Sequence, residues 1–304
     1  MITPTRYKDF PPGWGHLKIP TSSRAAALAG LALYAPCKRR AIWAQRAAWL
    51  GVRLVGPAFL PGQSREWRPP LDPDGWDALL ETLCSTTGKF DAIAGYQRLQ
   101  VSRPGFALLL LRRGSPIAFV KLRQGPDAPF LNEARAQAEV WRFGPRSFSV
   151  PKPLGVGEAS GWHYFAVGAL PPRLHRPPHN PPLNAIVAEI TQALAGLPMI
   201  PDTPAHWRPM HGDFTPWNLR SVGKGLCLID WEDAAWAPPG ADEVLYRASQ
   251  AALRGRSVDF PAPPETVLFW EQRVDQWQTN KRDDQFRHAL RQALQRMRAC
   301  APTA

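Results

Sequence analysis

The sequence of 304 residues predicts an α+β fold with two lobes, a small antiparallel-sheet lobe followed by a mainly helical lobe, and an N-terminal helical extension. Three short segments, at 96–101, 106–112 and 117–122, have the apolar alternation of strands, and residues 113–116 supply a turn between the last two. Beyond residue 183 the apolar residues recur at helical spacing instead. A chain of this length can bury the cores of both lobes.

Residues 1–88 are predicted to be a basic, partly helical extension. The first twenty residues are rich in proline and glycine and predict an irregular arm, after which residues 21–23 predict the N-cap of an alanine-rich helix. A second helix is predicted at about 38–55, where tryptophans and arginines alternate with aliphatic residues. This helix fits either an interfacial role at lipid headgroups or packing on the sheet lobe with its arginines in water. Its imperfect apolar stripe favours packing.

The net charge of +12 is concentrated in the extension. Residues 1–70 contain eleven Lys and Arg against two acids, a balance of +9, whereas residues 171–304 contain 15 basic and 14 acidic residues. The excess predicts an anionic partner for the extension, such as an anionic membrane surface. Nucleic-acid binding is disfavoured, because no recognisable nucleic-acid motif accompanies the charge.

Cysteine spacing and hydropathy bear on the cellular location. The four cysteines are far apart and form no CxxC pair, which indicates reduced thiols rather than a metal knuckle. No apolar run approaches the ~18–20 residues that span a bilayer, and the N-terminus lacks a signal peptide's apolar core. We therefore expect a cytoplasmic protein, and the basic extension is compatible with a peripheral position on the inner face of the membrane.

The sheet lobe is assigned to residues 89–168 and contains a lysine in its third predicted strand. Lys121 lies within the alternating apolar segment 117–122. The helix predicted at about 131–143 offers Glu133 and Glu139 as acidic partners, and the N-E-A pattern favours Glu133. A further strand, 163–170, leads into the helical lobe.

The helical lobe, residues 169–304, contains the groups that magnesium-dependent phosphoryl transfer requires. Asp213 can accept a proton from an attacking hydroxyl, and Asn218, five positions later, offers an amide oxygen to a hard cation. Asp230 ends the strand-like run 226–229 and offers a carboxylate to the same cation. This order of Asp, Asn and Asp, with a strand between its halves, is typical of kinase catalytic sites.

The H-G-D-x-x-x-x-N pattern at 211–218 and the I-D-W pattern at 229–231 resemble those of the aminoglycoside phosphotransferase and choline kinase-like family of small-molecule kinases. The resemblance covers about residues 90–300. It implies a bilobal protein kinase-like fold, with ATP and Mg2+ as cofactors and the acceptor site in the helical lobe. The segment between the hinge and the catalytic loop is short for aminoglycoside kinases, which usually insert helices there.

The resemblance also implies roles for individual residues. Asp213 would be the catalytic residue and Asn218 and Asp230 the metal ligands. His211 and Asp242 would support the loop, and Asp242 is interpreted as a structural helix cap rather than a catalyst. The cofactor-binding residues implied are Lys121 at the α/β-phosphates, Glu133 (with Glu139 as the alternative) as its partner, and the backbone near Val167 and Ala169 at the adenine.

The acceptor is expected to be a hydroxyl on a small molecule. The near-neutral charge of residues 171–304 argues against a polycation and favours a sugar or a glycolipid or lipopolysaccharide precursor. Aminoglycosides and choline-type amino alcohols remain alternatives, since tryptophans near the motifs could surround a cation. A non-catalytic pseudokinase or nucleic-acid-binding scaffold is disfavoured because all four chemical groups, Lys121, Asp213, Asn218 and Asp230, are present together.

Overall fold

The computed structural model describes residues 6–13, 15–36, 39–69, 71–97, 105–255, 258, 260–277 and 281–300. The chain divides into two compact units. The first comprises residues 1–99, 103–130 and 151–176, and the second comprises residues 100–102, 131–150 and 177–304. Across these described residues, every helix is too short or too polar to cross a membrane.

The first unit is built on one eight-stranded sheet. Its elements are β1 (Arg6–Phe10), β2 (Leu17–Pro20), α1 (Arg24–Ala32), α2 (Arg39–Val55), a 3-10 turn (Pro57–Phe59), β3 (Arg65–Glu66), α3 (Pro73–Thr87), β4 (Ala92–Gln97), β5 (Phe106–Arg112), β6 (Ser115–Arg123), β7 (Pro153–Ala159) and β8 (Trp162–Gly168). The strand order is β3-β1-β2-β4-β5-β6-β8-β7, and all neighbouring strands are antiparallel. The predicted antiparallel sheet is confirmed.

The extension contributes three strands to this sheet, so the predicted irregular arm over residues 1–20 is wrong for β1 and β2. Phe10 pairs with Leu17 across the hairpin, and Leu17 pairs in turn with Tyr96 of β4. Leu17 and Ile19 are buried in the core beneath α1 and α2. Prolines and glycines around these short strands obscure the alternation of apolar and polar residues that predicts a strand. The side chains that point inward are buried by the helices, and the strand sequences alone do not show this.

The other elements of the first unit follow the sequence more closely. Ser23 caps α1 as expected, since its hydroxyl accepts the Ala26 amide at 3.0 Å. The strand predicted at 96–101 begins earlier, at Ala92, and its last residues, 98–101, lie outside the described part of the chain. β7 begins at Pro153 and lies at an edge of the sheet, where proline is tolerated.

The second unit is mainly helical, which confirms the α+β class and the order of the two predicted regions. Its elements are most of α4 (Ala128–Phe143), then α5 (Leu183–Ala193), β9 (Arg208–Met210), β10 (Leu219–Val222), β11 (Gly225–Leu228), β12 (Ala235–Ala237), α6 (Ala241–Arg254), α7 (Pro264–Asp275) and α8 (Lys281–Ala299). β9 pairs with β12, and β10 pairs with β11. The motifs identified in the sequence lie in the two connections between these pairs, after β9 and after β11.

Candidate active site

Two short strand pairs bring the separated motifs together. β10 and β11 form a hairpin in which Leu219 pairs with Leu228, so the residues just outside this pair meet at its open end. There the Ile229 amide donates to the Asn218 carbonyl oxygen at 3.1 Å. This backbone contact places Asp230, the next residue, beside the end of the 211–218 loop. Hairpin register thus brings Asn218 and Asp230 close together in space.

Asn218 also connects the loop to Asp213. Its side-chain amide donates to the Asp213 carboxylate at 2.8 Å and to the Asp213 carbonyl oxygen at 2.9 Å. Because both hydrogen bonds use the nitrogen, the amide oxygen of this buried side chain faces elsewhere and has the chemistry of a cation ligand. Asn218 therefore orients Asp213 and presents an oxygen at the same time.

His211 is buried and both its ring nitrogens contact backbone groups of the site. Nδ1 accepts the Asp213 amide at 3.1 Å, which requires that nitrogen to be unprotonated. Nε2 then carries the proton and donates to the Ile229 carbonyl oxygen at 3.1 Å. The neutral ring thus links the two motifs, and it also packs on the buried Trp231 ring, 4.4 Å between centroids.

Asp242 holds the loop rather than capping its own helix, so the interpretation of this residue as a helix cap is wrong. Gly240 is the N-cap of α6 and makes no side-chain cap bond, whereas the Asp242 carboxylate accepts the His211 amide at 2.7 Å and the Gly212 amide at 3.2 Å. In the sequence, an acidic residue in the first turn of a helix resembles a capping residue. The hydrogen-bond partners of Asp242 instead lie about 30 residues earlier in the chain.

Burial raises the pKa of Asp242 to about 6 from 3.8, against the lowering effect of the two amides. The folded state therefore binds a proton more tightly than the unfolded state, so this group's stabilisation is complete below about pH 4 and lost as pH rises through about 6. The shift corresponds to about 3 kcal/mol. Asparagine has no such group. Between pH 4 and 7, we therefore expect the wild type to lose this amount of unfolding free energy relative to the Asp242→Asn variant.

Denaturant titrations at several pH values would measure this difference, with Asp202→Asn at an exposed position as the control. A difference that stays constant across the range would contradict the assigned shift.

Gly212 is required by the close approach of the turn after Asp230. Its φ of +84° is left-handed, and a Cβ there would lie 1.9 Å from the Asp233 carbonyl oxygen. We expect Gly212→Ala to lower the unfolding free energy by about 3 kcal/mol, measured by thermal or denaturant unfolding. Gly240→Ala is the matched control, because Gly240 also has positive φ but has open space around it. It should cost only about 1 kcal/mol; equal losses would contradict the clash.

Three carboxylates of the second unit converge near Asp230. One oxygen each from Glu133, Asp230 and Glu232 lies within 4.8 Å of the others, a donor set suited to a hard divalent cation. Asn132 fixes this arrangement, because its side-chain amide donates to the carbonyl oxygens of Glu232 and Ala234 at 3.0 and 3.1 Å. Glu232 and Asn132 are not among the residues predicted from the sequence. For Glu232 a signal was available, because it follows Asp230 by two residues and the buried Trp231 lies between them.

Asp230 itself has an unusual backbone conformation. Its φ of +72° is left-handed, which Asp and Asn tolerate better than most residues with a side chain. The conformation lies at the junction between the β10/β11 hairpin and the turn that carries Glu232, where the chain must change direction.

The expected cofactor residues of the first unit lie in its sheet. Lys121 is buried in β6, opposite Ala107 of β5 and Phe165 of β8. Val167 lies near the end of β8, opposite Phe119, and the Ala169 amide donates to the Ile117 carbonyl oxygen at 3.3 Å. Between the first two predicted strands, residues 102–104 lie outside the described part of the chain.

The two candidate acidic partners on α4 differ in their surroundings. Glu139 pairs with Arg142 at 2.5 Å on a partly exposed face, whereas Glu133 is buried and lies beside the carboxylates of Asp230 and Glu232. The pairing of Lys121 with Glu133 stays a prediction.

The sequence profile of the phosphotransferase enzyme family matches residues 199–246, and comparison with curated protein sequences finds no match. A putative fructosamine-3-kinase from Haemophilus somnus 129PT is similar in structure, at 12% identity and TM-score 0.45, over 73% of this chain and 97% of that one.

Two further solved structures are similar over a comparable share of the chain. An aminoglycoside-3'-phosphotransferase of type VIII has 16% identity and TM-score 0.40, covering 72% of this chain and 98% of its own. A choline/ethanolamine kinase family protein from Mesorhizobium loti has 14% identity and TM-score 0.38, covering 74% and 92%. The profile match spans β9, the loop, the β10/β11 hairpin and the start of α6. The expected resemblance to the phosphotransferase enzyme family is confirmed over this segment.

Proposed function

We propose that the protein is an ATP- and Mg2+-dependent phosphotransferase that moves the γ-phosphate to a hydroxyl group of a small molecule. The observation that carries the proposal is the contact set around Asn218. Its side chain donates to the Asp213 carboxylate, and its backbone carbonyl accepts the amide that precedes Asp230. This arrangement unites the proton acceptor and the cation ligands, and it lies within the segment that matches the phosphotransferase profile.

The residues of the second unit fit a magnesium ion. Asp230 and the amide oxygen of Asn218 would hold it, and the neighbouring Glu133 and Glu232 supply further hard oxygen donors. Magnesium, when bound, neutralises charge on the transferring phosphoryl group. Asp213 would orient the acceptor hydroxyl and accept its proton as the bond to phosphorus forms, and Asn218 would fix the angle of that carboxylate.

The remaining assigned residues would bind nucleotide or stabilise the loop. Lys121 would meet the α/β-phosphates with Glu133 as its partner, and backbone groups of Val167 and Ala169 would meet the adenine. His211 and Asp242 would keep the loop in its conformation, since their contacts are to backbone groups of residues 211–213 and 229. This division assigns nucleotide binding to residues 89–168 and acceptor binding to residues 169–304.

For the acceptor we favour a sugar or a glycolipid or lipopolysaccharide precursor. Residues 171–304 are near neutral, which does not suit a polycation, and Trp217 lies in the catalytic loop four residues after Asp213. The Trp217 ring is half-buried and packs edge-on against Phe286 at 5.4 Å, leaving an aromatic surface on which a sugar ring can stack. The same pair supports the alternative, a choline-type ammonium acceptor.

A cytoplasmic location suits this activity, because ATP and reduced thiols are found there. Among the described cysteines, Cys84, Cys227 and Cys300 are free. A lipid-linked acceptor would further place the enzyme at the inner face of the membrane.

An ATP-consumption screen over sugars, lipopolysaccharide precursors, aminoglycosides and amino alcohols tests the proposal, with the Asp213→Asn variant as the blank. Turnover that requires magnesium and is absent from the blank supports the assignment. Thermal unfolding with and without Mg-ATP discriminates the pseudokinase alternative. No stabilisation by nucleotide, together with no turnover on any acceptor, would contradict the kinase function.

A further inference from the structure

Helix α2 is fixed to the first unit through one face. The buried Gln45 donates its side-chain amide to the carbonyl oxygens of Leu31 and Tyr34, at 2.7 and 2.5 Å, at the end of α1 where helical partners are lacking. Ala48 and Val52, one and two turns further along, are buried in the core shared with α1 and β2. These contacts set the rotation of α2 about its axis.

The opposite face of α2 carries an exposed apolar ridge, which consists of Trp43, Leu50 and Leu54. Their exposed fractions are 66%, 53% and 69%, and their spacing of seven and four residues places them on one strip of the helix. Phe59 packs over Gly51 and, half exposed, adds apolar surface beside the ridge. An exposed strip of large apolar side chains is typical of an interaction surface.

A row of arginines runs along this ridge. Arg39, Arg46 and Arg53 follow one another at seven-residue intervals, so they share a strip of the helix that adjoins Trp43 and Leu50. The Arg46 guanidinium lies 5.0 Å from the centre of the Trp43 ring. Apolar side chains bordered by long basic ones are the pattern of helices that lie at a lipid headgroup boundary.

The surrounding sequence contains no negative charge. Residues 10–65 include eight Lys and Arg and not one Asp or Glu. The ridge therefore lies in a segment whose charged side chains are all basic, which favours an anionic surface as its partner.

We propose that α2 docks the protein on a bilayer that contains anionic phospholipid, with the ridge at the headgroup boundary and the arginines against lipid phosphates. A second copy of the chain fits poorly, because a symmetric contact would bring the same arginine rows together. Nucleic acid fits poorly as well, because Leu50 and Leu54 offer no hydrogen bond to phosphate or base edge. The proposal is independent of the catalytic assignment.

Co-sedimentation of the full chain with vesicles tests this proposal. Vesicles of phosphatidylglycerol and phosphatidylcholine should bind the protein, vesicles of phosphatidylcholine alone should not, and 0.5 M salt should weaken binding. Arg39→Gln/Arg53→Gln should reduce partition about 30-fold, and Leu50→Gln/Leu54→Gln at least about tenfold. Glutamine keeps the helix propensity at these exposed positions.

Matched controls separate the ridge from net charge and general apolar exposure. Arg296→Gln/Arg298→Gln removes the same charge from exposed positions of α8, and Met199→Gln/Ile200→Gln removes exposed apolar surface from the second unit. Neither should change partition more than about threefold. Equal losses in ridge and control variants, equal binding to both vesicle types, or binding to duplex DNA or self-association without vesicle binding would each overturn the proposal.

Discussion

Replacing Asp213 by asparagine is expected to lower kcat about 10³-fold, because the acceptor hydroxyl loses its proton acceptor and its orienting carboxylate together. This change corresponds to ~4 kcal/mol in the activation free energy. Asparagine has nearly the same shape and can still accept the 2.8 Å hydrogen bond from Asn218, so the loop should keep its conformation. The expected loss is therefore in chemistry rather than in folding.

Steady-state kinetics with the best acceptor of the screen would measure the effect, with nucleotide binding followed separately by thermal unfolding. Asp202→Asn, an exposed substitution in the same unit, is the control and should retain full turnover. A variant at Asp213 that binds nucleotide but also turns over at near the wild-type rate would remove the residue from the catalytic role.

The proximity of the loop residues could be predicted from sequence because these residues are close in the chain. Asp213 and Asn218 are five residues apart, and the strand run before Asp230 places the second motif by hairpin pairing alone. Local order of this kind is visible in the residue types and their spacing.

Contacts between distant segments could not be predicted in the same way. Asn132 reaches the turn at Glu232 across 100 residues, and only the packing of α4 reveals that Glu133 joins the carboxylate cluster. Asp242 looks like a helix cap from its position in the first turn of α6. Its actual partners, the amides of His211 and Gly212, are defined by the way the loop folds over that turn.

The extension shows the same limit of sequence reasoning. The composition of α2 fits both burial and an interfacial role. No single apolar face stands out in its sequence, because apolar residues lie both on the buried face and on the exposed ridge. Gln45 rather than an aliphatic residue helps fix which strip faces the core, through carbonyl groups at the end of α1. A polar anchor of this kind has no signature in hydrophobic periodicity.

Replacing Asp230 by asparagine should lower kcat/KM about 10³-fold at low magnesium concentration, since the cation loses its central carboxylate. Asparagine is chosen over alanine because the residue has a φ of +72°, which asparagine tolerates. The alanine variant would mix backbone strain with loss of the ligand. The asparagine variant changes the charge and keeps the turn.

A second readout separates metal binding from chemistry. Magnesium should raise the thermal unfolding temperature of the wild type in the presence of nucleotide, and this effect should be lost in Asp230→Asn. Glu232→Gln should shift the magnesium requirement upward by a smaller factor, about tenfold, because its carboxylate lies in the same cluster beside Asp230. Glu139→Gln, on the same helix as Glu133 but paired with Arg142, should leave the requirement unchanged. An Asp230 variant with a wild-type magnesium titration would show that the cation binds elsewhere, and the convergence of Asn218 and Asp230 would then have a structural role only.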